Sequence, residues 1–220
     1  MRRKSFIEKQ GKHKNMLGKT ISVNSLKVDK EPYIIASSIK GVLLVKRPCY
    51  ADFRGSFQEL YRIPDIAKSF KKTQILQSQI SISKLNVLRG IHAEPRDKVI
   101  TPIVGRIAAV IVDLRIKSPT YKKWIRFEFD NTSSETPHTT LFVPAGCGNS
   151  LCVYRKANDP GDGTLIYHYT YSSVYDPSWA GSGVKYNEPQ LNIKWPIKNP
   201  ILSDRDKNLP FLKEFVEKYR

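Results

Sequence analysis

The fold is decided in the middle of the chain, where two segments of alternating polar and apolar residues flank a cluster of ionisable side chains. Residues 77–83 read QSQISIS, residues 86–98 read NVLRGIHAEPRDK, and residues 103–113 read IVGRIAAVIVD. A period of two predicts strands whose successive side chains face opposite sides of a sheet. If the two flanking segments lie in one sheet, the arginine, histidine and lysine between them line one concave face. We therefore expect a ligand pocket there, with the rest of the chain as its walls.

The same period continues on both sides of this stretch. Clusters of Gly, Pro, Asn, Asp and Ser separate the predicted strands, which are residues 41–48, 52–60, 73–83, 99–115, 122–129, 139–143, 151–154 and 165–171. A short helix is predicted at residues 63–70, and an amphipathic helix at residues 210–219. Many short strands without βαβ alternation are typical of an antiparallel barrel or jelly roll. We predict an all-β protein with a short C-terminal helix.

Composition and length predict one domain preceded by an arm. The chain has 220 residues, 40% of them hydrophobic, which suffices for a packed core. Residues 1–30 show no sustained apolar period and are predicted to form a basic, flexible arm, and residues 31–220 to form the domain. No apolar run approaches the roughly 20 residues of a membrane span, and no signal peptide is visible. We expect a soluble, cytoplasmic protein that does not engage a membrane.

The formal net charge of +17 has two interpretations. Clustered Lys and Arg would suit nucleic acid, whereas a generally basic surface would suit a small anionic ligand. Within residues 1–20 Glu8 is the single acid, and the remaining positive excess is scattered over strands and loops. This distribution favours a solvated basic arm, and we do not expect nucleic acid as a partner.

Several site classes lack their sequence signatures. The sequence contains three cysteines, Cys49, Cys147 and Cys152. An odd number without Cys-x-x-Cys spacing argues against a disulfide framework and a zinc knuckle, so we expect reduced thiols. His92 is not part of a His-x-His pair, and a metal site is not expected because the remaining histidines stand alone in the sequence: His13, His138 and His168. There is no Gly-x-Ser-x-Gly motif, no glycine-rich phosphate loop, and Cys147 is predicted to lie in a turn.

With these signatures absent, the remaining candidate for the chemistry of the cluster is general acid–base catalysis. A neutral histidine, with an ordinary pKa of about 6.5, accepts a proton at neutral pH, and a tyrosine near 10 keeps one to donate. A cation such as Lys98 beside them would stabilise an enolate. Residues of these types at strand ends are more often structural than catalytic, so the pattern alone leaves both interpretations open.

A set of motifs distributed along residues 40–210 carries a resemblance to a known family. In chain order they are Asp52-x-Arg54-Gly55-x-Phe57-x-Glu59, Ser81-x-Ser83, VLRGIH at 87–92, VDLR at 112–115 with SPT at 118–120, FVPAG at 142–146, IKWP at 193–196 and ILSDRD at 201–206. In this order and spacing the chain resembles the dTDP-4-dehydrorhamnose 3,5-epimerases. The resemblance implies a cupin jelly roll without metal or cofactor. It also implies a homodimer that shares strands and parts of its nucleotide site, and a nucleotide-diphosphate sugar as substrate.

The resemblance also implies roles for individual residues. His92 matches the family's general base at C3 or C5 of the 4-keto sugar, Tyr169 the acid on the opposite face, and Lys98 the lysine beside the C4 oxygen. Arg54 and Arg89 match groups near the diphosphate, where guanidinium suits phosphate oxygens. The other positions matched to substrate binding are Phe57, Glu59, Gln77, Gln79, Asn149, Tyr175 and Asp206.

The sequence departs from the family pattern at several of these places. Ala109 stands where we expect the acid that orients the base, so His92 must find another partner. Asn149 replaces a histidine, Gln79 replaces an asparagine, and the loop between His92 and Lys98 is shorter. The base (dTDP, UDP, GDP or CDP), the sugar and the inverted carbon therefore stay open. Two alternatives to an epimerase are a catalytically degenerate cupin that binds nucleotide sugars or nucleic acid, and a metal-dependent cupin.

Overall fold

The computed structural model describes residues 15–26, 33–66, 74–133 and 136–219. Strands dominate these residues: β1 (Thr20–Ser22), β2 (Tyr33–Ala36), β3 (Leu43–Lys46), β4 (Cys49–Asp52), β5 (Gly55–Gln58), β6 (Gln77–Ser83), β7 (Leu88–His92), β8 (Lys98–Asp113), β9 (Trp124–Asn131), β10 (Thr139–Val143), β11 (Cys147–Val153) and β12 (Leu165–Tyr171). The helices are α1 (Ile63–Ile66), α2 (Asp204–Lys207) and α3 (Leu212–Tyr219), with a 3₁₀ turn at Pro177–Trp179.

Two sheets share the long strand β8. One sheet has the order β2-β3-β10-β8-β12-β6 and the other β1-β9-β8-β11-β7, with every pairing antiparallel except β1 with β9. The change of partners occurs at Gly105, since Val104 still pairs with Ile166 of β12 whereas Gly105 pairs with Asn131 of β9. Gly105 has φ +102°, and a Cβ there would lie 2.7 Å from the carbonyl oxygen of Thr164. A side chain is therefore excluded where β8 passes from one sheet to the other.

The main core lies between the inward faces of the two sheets. The first sheet contributes Ile100, Leu141 and Tyr167, and the second contributes, among others, Ile107 and Phe127. All five are at most 1% exposed. This all-β architecture confirms the predicted fold class, and the short C-terminal helix is present as α3.

The hairpin formed by β4 and β5 stands apart from both sheets. Its two strands pair with each other, Tyr50 opposite Phe57, and with no other described strand. The side chain of Gln58 attaches the hairpin to the body, because it donates to the carbonyl oxygens of Arg47 and His138 and accepts from the His138 backbone N–H.

Several sequence expectations need correction. The arm predicted for residues 1–30 contains β1, and Met16 and Val23 beside it are 5% and 2% exposed because they pack into the core. Packing therefore begins earlier in the chain than predicted; residues 1–14 and 27–32 lie outside the described residues.

Cys147, predicted in a turn, is the first residue of β11. The helix predicted for residues 63–70 is α1 up to Ile66, after which residues 67–73 are not described. Within the described residues, no helix combines the length and apolar character that a membrane span requires.

Candidate active site

His92 ends strand β7 and lies directly opposite Asn149 of β11. The close approach of these strands depends on Gly90, whose φ is +117°. A Cβ at Gly90 would lie 2.7 Å from the backbone oxygen of Asn149. The Arg-Gly-Ile-His sequence therefore sets the end of β7 tightly against β11.

A carboxylate from the C-terminal part of the chain holds the His92 ring. Asp206 Oδ1 lies 2.5 Å from His92 Nε2, and Asp206 is 3% exposed. Ser203 caps α2 by accepting from the Asp206 backbone N–H, and Val87, the residue before β7, forms an isolated parallel bridge with Ile201, two residues before Ser203. Together these contacts fix α2 beside the end of β7.

In this pair the imidazole of His92 tends to stay neutral, and the carboxyl group of Asp206 tends to stay ionised. Burial lowers the pKa of His92, although the hydrogen bond and charge of Asp206 act in the other direction. Burial alone would raise the pKa of Asp206, but the hydrogen bond and charge of His92, together with the hydrogen bonds from Ser203 and the Gly90 backbone, outweigh that effect and lower the pKa. At neutral pH the pair is therefore a neutral imidazole held by a carboxylate.

Asp206 is the other partner that the sequence requires for His92. The expected position for that acid is Ala109, which lies 1% exposed in the core of the second sheet. Asp206 was predicted to contact substrate, yet its side chain contacts the predicted base. The sequence separation of 114 residues explains why spacing could not reveal the pair.

Lys98 begins β8 and points into the same region. Its ammonium donates to Asn149 Oδ1 at 2.6 Å and to the His92 carbonyl oxygen at 3.3 Å. The carboxylate of Glu94 lies 3.6 Å from the same nitrogen. Burial lowers the pKa of Lys98 to about 8, and the neighbouring charge of Glu94 limits that fall. Asn149, predicted to bind substrate, thus contacts the predicted lysine.

Tyr169 lies on β12, one step along the sheet from Lys98. In the register of β8 and β12, Tyr171 is opposite Lys98 and Tyr169 is opposite Ile100. Residues two apart in a strand share a face, so Tyr169 is the diagonal neighbour of Lys98. Diagonal neighbours in a sheet have Cα atoms about 7–8 Å apart. Tyr169 is 8% exposed, and its phenol accepts a 3.4 Å hydrogen bond from Ser81. Burial raises its pKa to about 12, so the phenol keeps its proton.

The polar residues of β6 line the adjoining surface. Gln77 Oε1 accepts from Arg96 Nη1 at 2.8 Å and from the Tyr175 backbone N–H at 2.8 Å. Gln79 Nε2 donates to the Tyr171 hydroxyl at 3.0 Å. The Tyr175 ring is 37% exposed and meets Trp179 edge-on. Gln77, Gln79 and Tyr175 therefore lie on the side of Tyr171 and Arg96.

Arg89, on the other hand, extends from β7 toward the far end of β6. Its Nε donates to Ser83 Oγ at 3.0 Å, and its charge acts on the Tyr169 phenol. The structure thus brings Arg89 beside the predicted acid.

Glu94 and Arg96 belong to the site although sequence reasoning gave them no role. Arg96 Nε donates to Glu94 Oε2 at 2.9 Å, and the Arg96 guanidinium lies 3.6 Å from the centre of the Tyr171 ring. Burial alone would raise the pKa of Glu94, but the charges of Lys98 and Arg96 lower it to about 2. The signal in the sequence is the Glu94-x-Arg96-x-Lys98 alternation directly after the histidine.

Three residues predicted to bind substrate lie elsewhere in the single chain. Arg54 pairs with Asp52 within the hairpin, and Phe57 on the same hairpin is 67% exposed. Glu59 pairs with Arg47 and Arg62. Among the described contacts, none of these three joins the group around His92.

No cluster of three His, Cys, Asp or Glu side chains suited to a metal ion occurs in the part of the chain that the structure describes.

Comparison with known proteins gives consistent matches over most of the chain. Residues 36–214 match the family model described as dTDP-4-dehydrorhamnose 3,5-epimerase. A dTDP-4-dehydrorhamnose 3,5-epimerase of Shigella flexneri is 31% identical over 180 residues, covering 80% of this chain and 93% of that protein. A dTDP-4-dehydrorhamnose 3-epimerase of Streptomyces niveus is 32% identical over 181 residues, covering 80% and 82%.

Solved structures match at the level of the whole fold. A 4-keto-6-deoxy sugar epimerase from the novobiocin gene cluster of Streptomyces spheroides superposes with a TM-score of 0.74 at 27% identity, covering 88% of this chain and 94% of that chain. A Streptococcus suis protein solved in complex with dTDP-D-xylose gives a TM-score of 0.71 at 30% identity, covering 84% and 94%.

Proposed function

Because the chain belongs to the dTDP-4-dehydrorhamnose 3,5-epimerase family, we propose that it inverts C3, C5 or both of a nucleotide-linked 4-keto-6-deoxysugar. The reaction uses the protein's own side chains as acid and base. It serves the biosynthesis of a deoxysugar.

The observation that carries this proposal is the His92–Asp206 pair beside the ammonium of Lys98. A hydrogen on carbon next to a carbonyl is acidic enough for a positioned imidazole to remove, provided that the enolate oxygen is stabilised. His92 takes the proton from C3 or C5, and the electron pair moves to the C4 oxygen beside Lys98. Asp206 stabilises the imidazolium that forms.

Tyr169 completes the cycle from the other side of the sugar ring. Its phenol, with a pKa raised to about 12 by burial, remains protonated until the enolate forms. It then donates its proton to the carbon on the face opposite His92, which inverts the centre and restores the ketone. Solvent returns a proton to the tyrosinate and removes one from His92.

We propose a dTDP-sugar as the first substrate to test. The Shigella flexneri and Streptomyces niveus relatives are named for dTDP-4-dehydrorhamnose, and the Streptococcus suis structure contains dTDP-D-xylose. Gln79 and Asn149 differ from the family pattern, so UDP-, GDP- and CDP-linked sugars belong in the same panel.

A homodimer is the second part of the proposal. Tyr50, Phe53 and Phe57 of the hairpin are 65%, 97% and 67% exposed. Exposed apolar surface of this kind is typical of an interface. In a dimer the hairpin of one subunit carries Phe57 and Arg54 to the cleft of the other, where they hold the nucleotide that a single chain leaves without these contacts.

The test is hydrogen exchange in heavy water. The protein is incubated with each 4-keto sugar, and NMR follows loss of the C3 and C5 proton signals, with a sample lacking protein as control. Exchange at either carbon is expected with at least one nucleotide sugar. A folded protein that binds nucleoside diphosphates but exchanges nothing would instead be a degenerate binding protein, and steeply salt-dependent binding of nucleic acid would favour that partner.

A further inference from the structure

Three cations surround one buried carboxylate next to the proposed catalytic residues. Glu94 is 5% exposed, and its oxygens lie 2.9 Å from Arg96 Nη2, 3.3 Å from Arg205 Nη2 and 3.6 Å from Lys98 Nζ. Arg205 immediately precedes Asp206 in α2. Glu94 therefore connects the lysine of β8 with the short helix that supplies the partner of His92.

Lys98 needs an anion because it is buried and its other acceptors are neutral. Asn149 Oδ1 and the His92 carbonyl oxygen accept its protons, but neither carries a charge. An ammonium without a compensating anion is expensive to bury and tends to lose its proton instead. Burial does lower the pKa of Lys98 to about 8, and Glu94 is the neighbour that opposes this most strongly.

The remaining charged and titratable groups around Lys98 do not replace Glu94. The two other cations, Arg96 and Arg205, push the pKa of Lys98 down. The carboxylate of Asp206 is engaged by His92, and that of Asp97 accepts from the Ala145 backbone N–H. The uncharged titratable groups on the neighbouring strands include His92, Cys147, Tyr169 and Tyr171, and burial raises the pKa of the Cys147 thiol and of the Tyr169 phenol to about 12.

We propose that Glu94 is a positioning residue that keeps Lys98 in its cationic form, directed at the place where enolate charge develops. The inference rests on the proposed function for its catalytic meaning. The charge relation between Glu94 and Lys98 stands independently of turnover. A purely structural Glu94 would hold Arg96 and Arg205 in place without affecting the protonation of Lys98.

The experiment measures the titration of Lys98 directly. Protein with ¹³C-labelled lysine side chains is followed by NMR between pH 6 and 11, and the Lys98 signal is assigned by its absence in Lys98→Met. Lys98 is expected to titrate near pH 8, well below exposed lysines near 10.4. In Glu94→Gln the midpoint should fall by about one pH unit or more, because an opposite charge at this distance has been removed. In Arg205→Gln it should rise, because a like charge has been removed.

Two further variants make the result specific. Glu94→Asp keeps the charge and should give a midpoint closer to wild type than Glu94→Gln does. Glu188 is a carboxylate 3% exposed that caps α3 through the Leu212 backbone N–H, so Glu188→Gln is the matched control and should leave the midpoint unchanged. If Glu94→Gln does not fold, Glu94→Asp decides the question: its shorter side chain moves the carboxylate away from Lys98 and should lower the midpoint below wild type, and a wild-type midpoint in folded Glu94→Asp would count against the inference.

Turnover provides the second readout. The alkaline limb of kcat for hydrogen exchange should move to lower pH in Glu94→Gln, parallel to the Lys98 midpoint. A folded Glu94→Gln protein with the wild-type Lys98 midpoint overturns the inference, as does a shift of Arg205→Gln in the same direction. If the wild-type protein exchanges no sugar hydrogen, the proposed function fails, whereas the titrations, made without substrate, still test the role of Glu94.

Discussion

The cleft around His92 and the β4–β5 hairpin are built in opposite ways. In the cleft, Asp206 and Lys98 are each 3% exposed and have partners within the same chain. On the hairpin, Phe57 is 67% exposed and Arg54 has only its near neighbour Asp52 as a described ion-pair partner. The difference suggests a division of labour. The groups proposed for proton transfer are assembled by one chain. The hairpin groups proposed for nucleotide binding would act in the cleft of a second subunit.

The first prediction tests the cleft around His92, whose groups all come from one chain, and it has the largest expected effect. His92→Ala should reduce the rate of hydrogen exchange by about 10²–10⁴-fold, because a positioned general base contributes that much. The rate is measured by NMR in heavy water on protein whose folding is verified by circular dichroism.

A matched control distinguishes the role of His92 from a general effect of losing a histidine. His168 lies next to Tyr169 on β12 but faces the other side of the sheet, where it contacts Ser78. His168→Ala should keep exchange within about twofold of wild type, because its half-buried side chain lies on the sheet face opposite that of Tyr169. Equal losses in both variants would remove His92 from its proposed role.

The second prediction concerns the carboxylate behind the ring. Asp206→Asn should lower kcat on the order of tenfold or more, because the imidazolium loses its stabilising charge. Asp206 raises the pKa of His92 against the lowering effect of burial. Its removal should therefore move the acid limb of the pH–rate profile to lower pH. The measurement is the rate of exchange between pH 4 and 9, and an acid limb that moves to higher pH would contradict the assignment.

The third prediction addresses the hairpin. Phe57→Ala should raise KM by about tenfold with kcat nearly unchanged, since stacking of one base on an aromatic ring contributes about 1–3 kcal/mol. A steady-state series over substrate concentration separates the two constants. A fall in kcat at constant KM would place Phe57 in the chemical step and break the proposed division of labour.

Mixing two inactive or weakened variants tests whether the hairpin acts across subunits. In a mixed dimer of His92→Ala and Phe57→Ala chains, one site combines an intact His92 with an intact Phe57 from the other chain. Random assortment makes such sites about a quarter of the total. At substrate below KM, the mixture should therefore exceed the mean of the two separate variants. If the mixture gives only that mean, each hairpin serves its own chain or none.

Local pattern was sufficient for most of the sheet. The predicted strands at residues 139–143 and 165–171 are confirmed to the residue as β10 and β12, because both are short segments rich in β-branched and aromatic residues and turn residues bound both of them. Local pattern does not predict strand β1, because its three residues are ordered by parallel pairing with β9 and by packing against the core, both of which are long-range contacts. Cys147 was assigned to a turn because Pro144, Ala145 and Gly146 precede it, although pairing with Asp113 already begins at Cys147.

In the candidate site, too, contacts between residues close in sequence are predictable, whereas contacts between distant residues are not. The proximity of His92 and Lys98 follows from their closeness in sequence, and resemblance added Tyr169. The contact of Asp206 with His92 and the grouping of Arg205 with Glu94 span 114 and 111 residues, so only tertiary packing brings them together. Pattern analysis reports period and propensity, and neither contains information about such distant pairs.

The last prediction has the smallest effect and asks how specific the exposed face of the hairpin is. Tyr50 is opposite Phe57 in the β4–β5 register, so the two rings share one face, while Gln58 attaches the opposite face to the body. Cross-strand aromatic pairs contribute about 0.2–1 kcal/mol. Tyr50→Ala should therefore raise KM by about two- to fivefold, less than Phe57→Ala, because it weakens only the support of the Phe57 ring. The comparison is made by steady-state kinetics on both variants at one pH. An effect of Tyr50→Ala equal to that of Phe57→Ala would mean that the whole aromatic face, rather than Phe57 itself, meets the nucleotide.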